Sequence, residues 1–211
     1  MSFSQKILNI PTAEDSLPGR EMPITLTGVH AVNGNKITPP FPEQMSSIVV
    51  GMGCFWGAER IFWELDGVWT TAVGYSGGHT PNPTYEEVCS GLTGHAEVVL
   101  VVYEKELIGL RELFEVFWES HDPTQGMRQG NDIGTQYRSG IWLSDQEQIV
   151  EAQESLKSYE EALLDSGYGE IKTTVEIQKD FYYAEEYHQQ YLHKNPNGYC
   201  GIAGTGVLCS R

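Results

Sequence analysis

The sequence predicts an α+β fold, a two-layer α/β sandwich of the ferredoxin-like plait type, with a proline-rich N-terminal arm and an irregular glycine-rich C-terminal tail. Three observations lead there. Apolar runs of strand length alternate with segments of helical period, in the order strand, helix, strands, helix, strand, helix, strand, which suits helices packed on a mostly antiparallel or mixed sheet. Six of the ten prolines, Pro11, Pro18, Pro23, Pro39, Pro40 and Pro42, fall in residues 1–46, where little hydrophobic period is sustained. After residue 180 the chain turns aromatic and amide-rich, then glycine-rich from Gly198 to Gly206.

The elements follow in order from Ser47. Ile48, Val49 and Val50 form a short buried strand that runs into Gly51 and Gly53, and residues 59–65 continue as a helix closed by Gly67. Cys54 therefore stands where a strand hands over to a helix. Next come a strand from Val68 to Tyr75, a glycine and proline loop from Ser76 to Pro83, and a short helical stretch from Tyr85 to Cys89. The run from Ala96 to Tyr103 is the strongest strand signal. Leu110, Leu113, Phe114 and Phe117 recur at helical spacing in an amphipathic helix ending near His121-Asp122-Pro123. A loop runs to Thr135, Gln136 to Leu143 reads as a strand, and Ser144 to Glu147 resembles a capping box. Ile149, Ala152, Leu156 and Leu163 then form the apolar stripe of a helix, and a last core strand spans Ile171 to Ile177. The expected organisation is an arm at 1–46, a catalytic α/β core domain at 47–180, and a tail at 181–211 with too little apolar content to be a core element. The arm cannot bury enough surface to fold alone, so it either drapes over the core or stays mobile.

Charge removes several classes of function. With 13 basic against 29 acidic residues, the 211-residue chain has a formal charge of −16, so nucleic acid and anionic membrane surfaces are repelled. No apolar run reaches the ~18 residues of a membrane span, and the first residues lack the pattern of a secretion signal. A cytoplasmic address is expected. In that reducing compartment four cysteines are reactive, metal-bound or buried rather than a static disulfide framework.

Cys54 is the leading nucleophile. Backbone N–H groups at the helix start can stabilise its thiolate and lower its pKa, while Phe55 and Trp56 can wall a small apolar pocket. A buried cysteine packed by two aromatics is the plain alternative. Cys200 and Cys209 lie on the glycine-rich tail, where one thiol can condense with an oxidised cysteine and the second can exchange with the new disulfide; the alternative is two exposed thiols or one extra disulfide. Zinc is not expected, since no pair has the close spacing of zinc clusters and His188 and His193 are five apart. Cys89 reads as structural. A cysteine hydrolase would need a base, for which His79, His95 and His121 are open on sequence grounds. Glu97 begins an otherwise apolar strand, so burial there would keep its carboxyl protonated as a general acid; a solvated strand end is the alternative. Tyr85 and Tyr137, the latter in the glycine-rich polar loop 126–139, can donate hydroxyl hydrogen bonds into a cleft or simply be satisfied interface tyrosines.

Four segments together resemble one family: GCFWG at 53–57, GYSGGHTPNPTYEEVCSGLTGHAE at 74–97, HDPTQGMRQGNDIGTQYRS at 121–139 and HQQYLHKNPNGYCG at 188–201. They are similar, in the same order, to the signature segments of peptide methionine sulfoxide reductase A. The resemblance implies that Cys54 attacks the sulfoxide sulfur, Glu97 protonates the departing oxygen, and Tyr85 and Tyr137 orient it. It also implies that Phe55 and Trp56 hold the terminal methyl group, that Asp132 lies near the site, and that Cys200 and Cys209 recycle the enzyme. Its expected substrates are oxidised proteins and free methionine sulfoxide, its reductant is thioredoxin, no bound cofactor or metal is needed, and a monomer is expected. Two other readings stay open on the residues: a cysteine hydrolase or acyltransferase, and a non-catalytic module that binds methionine-containing peptides.

Overall fold

The computed structural model describes residues 7–209; the first six positions of the expected arm and the last two of the expected tail lie outside the described residues. Fourteen elements follow one another among the described residues. They include strands β1 (Met45–Met52), β2 (Val68–Ser76) and β3 (Ala96–Glu104), and helices α1 (Phe55–Trp63), α2 (Tyr85–Cys89), α3 (Leu110–Ser120), α4 (Gln146–Asp165) and α5 (Tyr191–Lys194). The remainder are β4 (Arg128–Gln129), β5 (Asp132–Ile133), a 3-10 turn (Thr135–Tyr137), β6 (Ser139–Leu143), β7 (Thr174–Ile177) and β8 (Phe181–Tyr183).

One six-stranded sheet has the order β7-β6-β1-β3-β2-β8. β1 runs antiparallel to both β3 and β6, with Val49 opposite Leu100 and Val50 opposite Ile141. Only the β6–β7 pairing is parallel among the pairs of this sheet, so the sheet is mixed. Side chains alternate across it: Ile48, Val50 and Met52 of β1 and Val99, Val101 and Tyr103 of β3 face one apolar cluster, while Val49, Val98, Leu100 and Val102 face another. Both faces are buried, which is why these strands read as continuous apolar runs. Helices α1, α3 and α4 cover the first face with Phe55, Phe62, Phe114, Phe117 and Ala152. Among the described residues no helix is long and apolar enough to cross a membrane.

The second face is covered by the arm. Ile37 is fully buried there beside Leu26 and Phe41, together with Trp142 of β6 and Phe181 and Tyr183 of β8. Polar ties fasten the arm along its length: Leu17 N–H donates to Leu92 O (3.0 Å), Arg20 pairs with Glu87 (2.7 Å), and Thr27 N–H and Oγ1 both donate to Glu186. The described part of the arm, residues 7–46, lies over the core.

Four local expectations need correction. The last core strand, expected from Ile171, starts at Thr174 and lies at the edge of the sheet, with Thr174, Glu176 and Ile177 exposed. The strand expected from Gln136 starts at Ser139, because Tyr137 and its neighbours form a 3-10 turn; the buried guanidinium of Arg138 donates to the carbonyls of Thr135, Gly77 and Gly94 and holds that turn closed. The cap of α4 is Asp145, which accepts from Gln148 N–H at 2.9 Å, so helix entry is one residue later than a Ser144 capping box requires. The start of the tail is not peripheral. β8 pairs antiparallel with β2, and Ala184, His188, Gln189 and Gln190 are buried. Low apolar content misleads here because the Gln189 amide takes both Val73 N–H and Val73 O at 2.9 Å, filling the place of a strand's backbone.

Candidate active site

The site grows from the junction between β1 and α1. Gly53 turns the chain with φ +92°, and a Cβ there would meet Gln129 Cβ at 2.6 Å. Cys54 is the N-cap residue of α1, so its half-buried sulfur sits at the helix start. β3 delivers Glu97 from the neighbouring strand end, fully inside, and Phe55 N–H donates to its Oε2 at 3.1 Å. Glu97 Oε1 is buried and has no hydrogen-bond partner among the described residues.

A cavity of about 180 Å³ brings Cys54 together with Phe55, Trp56, Tyr85, Glu97, Asp132 and Tyr137. Every residue expected to bind substrate or act first thus lines one space. β3 and α1 supply the chemistry, α2 supplies Tyr85, the small β4–β5 hairpin supplies Asp132, and the 3-10 turn supplies Tyr137. Tyr199 of the tail closes the cavity and donates its hydroxyl to Asp132 Oδ2 at 3.3 Å.

Electrostatics in this space favour neutral groups. Burial pushes Glu97 up to about 8, with the Asp132 charge adding to it and the Phe55 N–H bond opposing it. Cys54 departs from the expectation of a lowered pKa. The N–H groups of Trp56 and Gly57 do favour its thiolate, but burial and the adjacent Glu97 carboxyl outweigh them and push the thiol up. Burial, then Glu97, also pushes the Tyr85 and Tyr137 hydroxyls up, so both remain donors.

The apolar wall is deeper than Phe55 and Trp56 alone. Trp56 stacks on Tyr191 with ring centres 3.9 Å apart, and its Nε1–H donates to His188 Nδ1 at 3.0 Å. Burial pushes His188 down to about 4, so the ring is neutral with its proton on Nε2, 3.9 Å from the Glu185 carboxylate. Glu185 in turn accepts from Tyr75 OH and Tyr85 N–H, both at 2.9 Å. Sequence reasoning missed His188 as a wall residue, having weighed it only as a metal ligand, and missed Tyr191 and Tyr199. The clustering of aromatics and amides at 181–191 was the signal available.

The two tail cysteines are placed apart. Cys200 rests on the first turn of α1, where a Cβ on Gly57 would come within 3.0 Å of its sulfur, and Arg60 Nη2 donates to that sulfur at 3.2 Å. Cys209 lies in a different cavity of about 290 Å³ between α3 and α4, and its N–H donates to Glu119 Oε1 at 2.8 Å. Burial and the carboxylates of Glu119 and Glu115 push this thiol up to about 12. No disulfide links the four cysteines among the described residues. Cys89, read as structural, shares a hydrogen bond with the Tyr85 hydroxyl.

The geometry gives a histidine-assisted hydrolase little to work with. His95 is occupied by Thr80 O and Gly78 N–H, His121 by Phe117 O and Ser139 Oγ, and His79 lines a separate cavity. Among the described residues no cluster of His, Cys, Asp and Glu could hold a metal ion. What the cavity offers is a thiol, a neutral carboxylic acid and two hydroxyl donors around an apolar floor.

Comparison with known proteins agrees with this chemistry. A family model described as "Peptide methionine sulfoxide reductase" matches residues 46–207. A peptide methionine sulfoxide reductase MsrA of Rhodospirillum centenum is 60% identical over 201 residues, covering 95% of this chain and 92% of the relative. The solved methionine sulfoxide reductase A of Corynebacterium diphtheriae superposes with a TM-score of 0.86 at 43% identity, over 94% of this chain and 99% of that one. Mxr1 of Saccharomyces cerevisiae, solved in complex with Trx2, matches with a TM-score of 0.51 at 26% identity, over 82% of this chain and 96% of that one.

Proposed function

The chain belongs to the peptide methionine sulfoxide reductase A family, and from that premise we propose how its own residues divide the work. The protein is an oxidoreductase that reduces methionine sulfoxide to methionine with thiols, a repair of oxidative damage. A sulfoxide is a poor electrophile until its oxygen takes a proton, so a nucleophilic sulfur and a neutral acid must share one site. The observation that carries our assignment is Glu97: its partnerless Oε1 is buried in the same cavity as Cys54, and its carboxyl holds a proton at neutral pH.

Cys54 attacks the sulfur of an S-epimer sulfoxide as Glu97 protonates the oxygen and takes up the proton that the Cys54 thiol gives up, and Tyr85 and Tyr137 hold that oxygen by hydroxyl donation. Phe55 and Trp56 take the methyl group, and Asp132 borders the entrance beside Tyr199. The thiol and the sulfoxide leave as methionine and a Cys54 sulfenic acid, with the oxygen now on Cys54. Cys200 condenses with it, releasing water and forming a Cys54–Cys200 disulfide; Cys209 exchanges to give Cys200–Cys209 and returns Cys54 as a thiol. The seat of Cys200 over Gly57, on the first turn of α1 from Cys54, supports the first of these bonds. A thioredoxin-type dithiol, as in the Trx2 complex of yeast Mxr1, then reduces the pair. No cofactor enters this scheme.

The same reading takes in the finer points of architecture and setting. The order β6-β1-β3-β2 supports a split βαβ plait at the centre of the sheet, the arm and tail flanking the 47–180 core. The protein is taken to act as a monomer and to keep a cytoplasmic address, where a dithiol reductant is at hand. The test supplies a methionine sulfoxide peptide with dithiothreitol and follows methionine; Cys54→Ser abolishes it, and surviving activity in that variant overturns the assignment.

A further inference from the structure

We propose that Glu59 and Gln190 form a positioning pair that sets the His188–Tyr191 wall against Trp56, and that the N-terminal arm completes this pair through His30 and Ala31. The inference rests on the reading of the Trp56 pocket as the methyl subsite. Glu59 lies on α1, fully buried, and takes no part in the reaction as derived above. Three donors converge on it. Gln190 N–H donates to Oε2 at 2.8 Å, Gln190 Nε2 donates to Oε1 at 2.7 Å, and Thr71 Oγ1 donates to Oε1 at 3.0 Å.

The direction of these bonds extends into the arm. Having given its one proton to Glu59, the Thr71 hydroxyl accepts from His30 Nε2, 2.9 Å away. His30 Nδ1 is then bare, and it accepts Val32 N–H at 3.2 Å and Asn33 N–H at 3.4 Å. The arm makes a second contact directly: Ala31 N–H donates to Gln190 Oε1 at 3.1 Å. With Glu59 as a carboxylate, these hydrogens have one consistent set of places.

Gln190 is where this network acts on the pocket. It is the N-cap of α5 with φ +48° and ψ 43°, a left-handed conformation that a non-glycine residue holds only when its surroundings demand it. Its neighbours in sequence are the wall itself. His188 accepts from Trp56, and Tyr191 stacks on the Trp56 ring. Glu59 sits on the same helix as Trp56, so the pair fixes the 188–191 turn to the element that carries the other half of the pocket. Losing these bonds frees one wall to move relative to the other while leaving Cys54 and Glu97 in place.

The test compares wild type, Gln190→Gly and Thr71→Val by single-turnover methionine formation from a methionine sulfoxide peptide, with a thermal melt for each. Glycine suits the left-handed φ, so Gln190→Gly removes the side-chain bonds without adding backbone strain. Expected is a half-saturating peptide concentration about tenfold higher in Gln190→Gly, with the rate at saturation within about threefold of wild type. Thr71→Val should shift it about threefold in the same direction. A folded variant with unchanged half-saturation overturns the inference and leaves the reductase reading intact. A wild type that makes no methionine overturns both.

Discussion

Replacing Glu97 by glutamine is the sharpest perturbation available, because it exchanges one oxygen for an amide at nearly constant volume. The remaining carbonyl oxygen can keep the 3.1 Å bond from Phe55 N–H, so the turn that carries Cys54 is retained. What is lost is a proton. With its pKa pushed up to about 8, the wild-type carboxyl is about nine-tenths protonated at pH 7. Removing a placed general acid costs ~10²–10⁴-fold in rate, or about 3–5 kcal/mol on the barrier. The deficit should be full at pH 7 and shrink above pH 8, where the wild-type acid is itself ionised.

Stability provides an independent check on the same group. Its pKa is about 8 folded against 4.5 unfolded, so the folded state holds the extra proton between those values. The stability contributed by this group is therefore complete below pH 4.5 and is lost as pH rises through about 8, with roughly 5 kcal/mol as the upper limit. Glu97→Gln abolishes that slope. Single-turnover methionine formation by rapid quench from pH 6 to 9, with urea titrations over the same range, measures both. A variant within threefold of wild type at pH 7, or one that keeps the wild-type pH slope of stability, refutes the acid role.

Electron counting gives a second outcome: without reductant, wild type should make about two methionines per chain, because Cys54 is restored once by Cys209, whereas Cys209→Ser should stop at about one. Cys200→Ser should also release about one equivalent and then stall with thioredoxin, as counted by mass spectrometry of thiol states; steady turnover would refute the relay. In Gly57→Ala the new methyl group would stand 2.8 Å from Ile202 Cγ2 and 3.0 Å from Cys200 Sγ. Methionine release should be nearly unchanged, while Cys54–Cys200 bond formation slows, read by non-reducing peptide mapping. Ile37→Ala, which empties the place where the arm's own side chain is fully buried against the sheet, should cost about 2–5 kcal/mol in chemical denaturation.

The sheet was legible where both its faces are apolar. Ala96 to Tyr103 could be read directly, and the short helical stretch expected from Tyr85 to Cys89 is α2, which Thr84 and Glu87 cap reciprocally. Seven of the eight residues that line the cavity were named from the sequence, Asp132 through the family resemblance alone, yet the reason they meet was not visible, since Cys54 and Glu97 are joined by the pairing of distant strands. Cys54 shows the limit of local argument. Its helix start predicts a low pKa, but the burial and the facing carboxyl that reverse it are tertiary facts. The segment 181–191 was misjudged for a related reason: hydropathy counts glutamine and histidine as polar, yet Gln189 and Gln190 are buried with their amides spent on backbone and side-chain partners, and His188 is buried with Nδ1 accepting from Trp56.

The arm's seat on the sheet bears on how this protein can be cut. The family model starts at residue 46, which invites treating everything before it as dispensable. A chain trimmed there would present Val49, Ala72, Val98, Leu100, Val102 and Trp142 to water as one greasy plane. Such a fragment would self-associate through that plane before its chemistry could be assayed, and its poor behaviour would be mistaken for a damaged active site. The boundary of the family model and the boundary of what must fold together lie in different places along this chain.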